Sequence, residues 1–235
     1  MKNSFLILLG MAIIAIGCKR ESNIINEMPI TALTVINAVP DSNPLLTGFT
    51  FDSTVSTYYP SVQQIGYGAF FEFSVPSGNS PIVIYQVSDT LKPFFKRIVN
   101  LQPHGIYSLF IAGDTSNIDT LLTIDTPPYH SSTDSSVGIR FVNLLQGSSP
   151  ISINIQGNTY ASEVGSLAYK NITNFKNYAA TSNTNSYVFE VRDAKTDTLV
   201  TTYSYTSLDR FKNITVVLSG VNSNNSLLTF KVNNY

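Results

Sequence analysis

The chain has 235 residues, 43% hydrophobic and 12% charged, the latter about half the usual share of roughly 25%. Fourteen Lys and Arg against fifteen Asp and Glu give a formal charge of -1, which argues against nucleic acid as the main partner. One cysteine and two histidines leave nothing for a disulfide framework or a His/Cys metal cluster, and no cofactor or metal is expected.

The N-terminus reads as an address. Lys2 precedes an apolar run from Phe5 to Ile16. As a helix this run rises about 18 Å, too little for a hydrocarbon core of about 30 Å. It therefore reads as the apolar region of a secretory signal. The run ends in Ala15-Ile16-Gly17-Cys18, which resembles the bacterial lipobox, although Ala15 stands where that pattern more often has Leu. The resemblance implies cleavage after Gly17 and acyl chains, palmitate among them, on Cys18. Each buried methylene contributes about 0.8 kcal/mol and one chain binds only marginally, so several chains on one residue make a durable anchor. Lys19 follows the cysteine instead of the Asp that resembles an inner-membrane retention signal, so the expected location is the outer membrane, facing either the periplasm or the surface. Residues 1–17 are thus expected to be signal peptide and 18–29 a lipid-anchored tether.

The remainder repeats itself. Thr34 to Val39 matches Arg140 to Leu145 at an offset of 106, and Leu121 to Ile124 matches Leu227 to Phe230 at the same offset. Gly105 to Gly113 matches Lys212 to Gly220 at 107, and Asp89-Thr90-Leu91 matches Asp197-Thr198-Leu199 at 108. A nearly constant offset means tandem duplication. The run D-T-P-P-Y-H-S-S-T-D-S-S over 125–136 is turn-rich and joins the copies. The expected units are 30–126 and 137–235, with a linker at 127–136.

Within each copy the apolar period is two. Phe71, Phe73 and Val75 alternate with Glu72 and Ser74, and Ile82 and Ile84 with Val83 and Tyr85. Short runs of this kind, separated by Gly, Pro, Asn and Asp, are strands. No helical stripe stands out, so the expected fold is all-β, two tandem immunoglobulin-like β-sandwich domains. Leu101-Gln102-Pro103-His104-Gly105-Ile106-Tyr107 resembles the tyrosine corner of such sandwiches, in which the Tyr hydroxyl bonds back to nearby backbone. The second copy has Phe211 and Ile214 around the same turn and lacks the Pro and Tyr. The opening V-x-N-A-x-P-D, Val35 to Asp41, resembles the tandem repeat family of unknown function in secreted bacterial lipoproteins, whose repeats open V-x-H/N-A-x-P-D. That resemblance implies a fold and a location, and no reaction.

No constellation reads as an active site, and the chain is expected not to be an enzyme. His104 and His130 have no His or Cys near them in sequence, and both read as solvated turn or linker residues. Asp114, Asp119, Asp125, Asp193 and Asp197 read as turn carboxylates that cap their own backbone. Tyr58, Tyr59 and Tyr67 read first as core packing plus an interdomain contact, with ligand contact as the alternative. Ser53, Thr90, Thr120 and Thr198 follow Asp, in a pattern that resembles the O-glycosylation signal of some diderm bacteria. The expected role is an outer-membrane lipoprotein acting as a non-catalytic binding or scaffolding module. Its expected partners are the membrane, through Cys18, and a cell-envelope protein or glycan. Two alternatives are a carbohydrate-binding accessory protein and a hydrolase with paired carboxylates between the copies.

Overall fold

The computed structural model describes residues 29–49, 63–221 and 226–234. Its strands in chain order are β1 (Ile30–Asn37), β2 (Leu45–Gly48), β3 (Phe70–Pro76), β4 (Gly78–Gln86), β5 (Phe95–Leu101), β6 (Ile106–Gly113) and β7 (Ile118–Ile124). Then follow β8 (Ser136–Gln146), β9 (Ile151–Ile155), β10 (Val164–Leu167), β11 (Asn171–Ile172), β12 (Lys176–Ala179), β13 (Ser186–Asp193), β14 (Leu199–Thr206), β15 (Asn213–Val221) and β16 (Leu228–Asn234). The fold is all-β, as the alternating pattern requires. The described residues form no helix, hence none long and apolar enough to cross a membrane.

Two sheets face each other in each half. In the first half the order β3-β1-β6-β7 faces β2-β4-β5, and in the second β11-β8-β15-β16, extended by β12, faces β10-β9-β13-β14. The pairs β1–β6 and β8–β15 are parallel. A parallel pair cannot close through a hairpin and needs a crossover; here the crossover chain builds most of the opposing sheet, which wraps each core. Leu33, Val35, Ile82, Ile84, Leu109 and Ile111 fill the first core. Ile139, Phe141, Ile153, Phe189, Val191 and Val216 fill the second.

The duplication extends to individual pairings. Asn37 lies opposite Ile111 on β6, and Asn143 opposite Leu218 on β15. The isolated bridge from Ile65 to Leu45 becomes the pairing of β10 with β9, where Leu167 meets Ile151. The partner of β8 corresponding to β3 is split into β11 and β12, because the Thr173 hydroxyl, not a ladder carbonyl, engages the amide of Phe141. Gly113 and Gly220 close equivalent strands at φ +89 and +143, and a Cβ on either would collide with the backbone of the following loop, at Asn117 and Ser226. Only glycine combines that conformation with so close an approach.

The tyrosine corner forms, with Tyr107 Oη accepting from the Gln102 amide at 3.0 Å. The second copy rebuilds the corner from the other side of the turn. Tyr205, on the strand before the turn, accepts from the Asp209 amide at 3.1 Å and donates to Asp209 Oδ2 at 3.0 Å. His104 and Phe211 take the same left-handed turn position, at φ 57 and 64.

The halves pack sheet to sheet. Residues of β1, β6, β8, β15 and β16 that point away from their own cores, among them Ile36, Phe110, Val142, Leu144, Val217 and Val232, form a third buried cluster. Phe110 and Val142 are 0% exposed, and each such side chain contributes about 1.5–3 kcal/mol when withdrawn from water. Phe70 joins this cluster while Phe71 turns to the opposite face and touches Phe73, as adjacent strand residues must. Phe94 and Phe95 depart from that rule. Both lie against the first core, because the chain enters β5 only at Phe95.

Candidate binding site

Cys18, Gly17, Ser53, Tyr58 and Tyr59 lie outside the described residues. Tyr67 sits between the halves: its hydroxyl donates to Ser226 O at 3.2 Å and accepts from Ser219 Oγ at 3.2 Å. Burial raises its pKa. Its polar end is thereby committed to joining the halves. Thr90 is half-buried in the turn after β4, Thr120 is half-buried on β7, and Thr198 is exposed before β14.

The carboxylates divide into two kinds. Asp114 and Asp193 cap their turns, accepting from the amides of Ser116 and Asn117 and of Lys195 and Thr196. Asp119 and Asp125 do more than the expected capping. Asp119 holds Lys170 of the other half at 2.6 Å. Burial opposes its ionisation, yet the Lys170 contact keeps its pKa below the usual value. Asp125 is no linker-facing residue: its side chain is 1% exposed and pairs with Arg140, 4% exposed, at 2.8 Å. Arg140 Nη2 faces Asp125 as an ion pair without a directed hydrogen bond. Ser108 and Thr123 donate to the same carboxylate, while Arg140 Nε donates to Thr215, which donates to Asn234. The polar network thus closes one end of the apolar contact between the halves. Burial lowers the Arg140 pKa, and the Asp125 charge opposes that shift.

His130 is not a solvated linker residue. Its side chain is 1% exposed, with Asp134 on Nδ1 at 2.7 Å and Asn213 on Nε2 at 3.1 Å. A linker histidine becomes buried because the linker packs back onto β15. His104 is exposed, as its turn position implies.

A groove of about 400 Å³ between the halves is lined by Phe70, Glu72, Asp209, Lys212, Lys231 and Asn233. It holds one carboxylate from each half. Asp209 is bound by Lys231 at 2.6 Å, which keeps its pKa low and unsuits it as a proton donor. Among the described residues, no group of three or more His, Cys, Asp or Glu could hold a metal ion.

The arrangement best suited to a ligand lies on the outer face of the second half. Register places Asn154 opposite Glu190 and Ser152 opposite Arg192. All four point away from the core. Asn154 Nδ2 donates to Glu190 Oε2 at 3.0 Å, and Arg192 reaches the same oxygen from Nη2 at 3.0 Å. Bonds from Asn154 first, then Arg192, hold the Glu190 pKa below the ordinary range. Arg192 also donates to Asp197 O at 2.9 Å. The chain after β9 folds back over this face, and Tyr160 Oη donates to Ala194 O at 2.7 Å. Asn154, Asn158, Tyr160, Glu190, Arg192 and Asp197 line a cavity of about 190 Å³.

Sequence reasoning missed this cluster. The signal was a divergence between the copies. At the corresponding register positions the first half carries Leu46, Gly48, Val83 and Tyr85, of which Leu46, Val83 and Tyr85 form a small apolar cluster.

No family model matches the chain, and no curated protein matches it. Among solved structures, one similar chain is that of a multi-modular glycogen-degrading pneumococcal virulence factor, SpuA, in a product complex. It is 10% identical at a TM-score of 0.29, over 85% of this chain and 21% of that one. This chain therefore spans about a fifth of that protein, and a likeness of this size supports no conclusion about fold or activity.

Proposed function

We propose that the chain is an outer-membrane-anchored lipoprotein that serves as a non-catalytic binding or scaffolding module of the cell envelope. The observation that carries this reading is the sheet-to-sheet lock between the halves. The apolar cluster around Phe110 and Val142, closed by Asp125–Arg140 at one end and by Tyr67–Ser219 at the other, makes one stiff body from two sandwiches. Such a body presents loops and sheet faces at fixed spacing, which suits recognition. Asp119 and Asp125 at the interface and Asp209 in the groove are held by Lys or Arg partners, which suits structure better than proton transfer. The Cys18 anchor follows from the lipobox-like ending of the signal.

The anchor is tested by expressing the full chain with a clickable palmitate analogue and fractionating the envelope. Wild type should label and sediment with outer membrane, and Cys18→Ala should do neither. Membrane retention of the unlabelled variant would overturn the anchor. The second reading, carbohydrate binding, is favoured by one feature, the Tyr160 cavity. Glycoprotein staining before and after alanine replacement of Ser53, Thr90, Thr120 and Thr198 tests the modification sites.

A further inference from the structure

We propose that the cavity under Tyr160 is a saccharide site that takes one neutral sugar ring of a glycan; this rests on the binding-module reading and names its ligand class. Polar residues on the outer face of a sheet ordinarily meet water. Here Ser152 is 0% and Asn154 3% exposed, and neither Ser152 Oγ nor Asn154 Oδ1 has a hydrogen-bond partner. Leaving such buried atoms unpaired is costly, because they lose their bonds to water and gain none in return. The fold does not require that cost, because the first half covers the same register positions with Leu46, Val83 and Tyr85. A polar ligand in the cavity, which Asn154 lines and Ser152 does not, would relieve the cost at Asn154.

The inventory of groups fits a sugar. The hydrogen bonds that Glu190 receives from Asn154 and Arg192 all fall on Oε2, which leaves Oε1 to accept from a sugar hydroxyl. Asn158 supplies an amide donor and acceptor, while Asn154, whose Nδ2 is already spent on Glu190 and Ile155, supplies its unpaired Oδ1 as an acceptor. Tyr160 is pinned through its hydroxyl, and with the residue 46% exposed it offers a flat apolar wall for the C–H face of a ring. Arg192 is shared between Glu190 and Asp197. The site therefore keeps one excess negative charge, which disfavours an anionic ligand. Its volume of about 190 Å³ is below the roughly 300 Å³ at which drug-sized pockets begin, so one ring enters and the rest of the glycan stays outside.

The test is a printed array of neutral and acidic glycans probed with the full protein in detergent, followed by calorimetric titration of the strongest binder. Glu190→Gln, Asn154→Leu and Tyr160→Ala are compared with the control Tyr129→Phe, and circular dichroism melts confirm folding. Expected are saturable binding of a neutral glycan, at least a tenfold loss of affinity in each site variant and none in the control. Binding that survives all three substitutions would move the sugar elsewhere and overturn the site while leaving the carbohydrate reading intact. An array without a hit, or with acidic glycans only, would overturn the ligand class, and the scaffold reading would then stand on its partner proteins alone.

Discussion

Asn37 and Asn143 are one residue used twice. Both are 0% exposed. Asn37 Nδ2 donates to Ile65 O at 3.0 Å and its Oδ1 accepts from the Val39 amide at 3.1 Å. Asn143 Nδ2 donates to Leu167 O at 3.0 Å and its Oδ1 accepts from the Leu145 amide at 3.0 Å. Their carbonyls accept from Gly68 and Lys170, again equivalent positions. Each side chain stitches the end of the first strand of its half to the segment that returns to the sheet. Loss of two buried bonds with stranded partners should cost about 2–4 kcal/mol in Asn37→Ala or Asn143→Ala. Urea denaturation of both variants checks this; losses of similar size are expected, slightly larger in Asn37→Ala because Asn37 Nδ2 also donates to Ser42 Oγ at 3.1 Å.

The Asp125–Arg140 pair makes a sharper forecast. Removing one partner strands a buried charge, so Asp125→Ala or Arg140→Ala should cost about 3–5 kcal/mol. Asp125→Leu combined with Arg140→Met should recover most of it. Wild type should unfold in one transition by calorimetry. The single variants should show two, because the pair joins the halves.

The two corners can be compared directly. Tyr107→Phe removes one hydrogen bond and should cost about 0.5–1.5 kcal/mol. Tyr205→Phe removes an acceptor for the Asp209 amide and a donor to its carboxylate, and should cost more. Thermal melts of the two variants order them.

Acid should weaken the fold through Glu163. Its side chain is 5% exposed and held by Lys176 and Tyr178 at 2.7 Å each. Burial pushes its pKa up, but these bonds win and the folded value lies below the ordinary glutamate range. A lowered folded pKa gives stability that is complete above the unfolded value of about 4.3 and is lost as pH falls through the folded one. Asp119 and Asp209 shift the same way. The melting temperature should therefore drop below about pH 4, and Glu163→Gln should flatten that limb. An unchanged acid limb in the variant would count against the assignment.

Much of the fold was legible because it is local. The β period around Ile82 to Tyr85 and the matching Asn37 and Asn143 were visible without coordinates. The second corner was not, because its tyrosine comes from the preceding strand and the motif looks only downstream of the turn. Asp125 and His130 read as linker residues because composition reports turn chemistry and is silent on what the turn packs against. Tyr67 reads in sequence as a packing or interdomain residue, and it does bridge the halves, but nothing in its neighbourhood announces Ser219, 152 positions away, as the partner. The Tyr160 cavity was hidden for another reason. Ser152, Asn154, Glu190 and Arg192 form a normal polar outer face until a loop folds over them, and only the contrast with Leu46, Val83 and Tyr85 marks them.

The position of β1 has a mechanical consequence. It lies between β3 and β6 in its sheet, so a pull arriving along the strand from Pro29 must slide β1 against two ladders at once. Those bonds then share the load together and do not break one by one as they would in an edge strand peeled outward. A tether fixed to a surface under flow would thus pull on the part of the molecule best placed to resist shear.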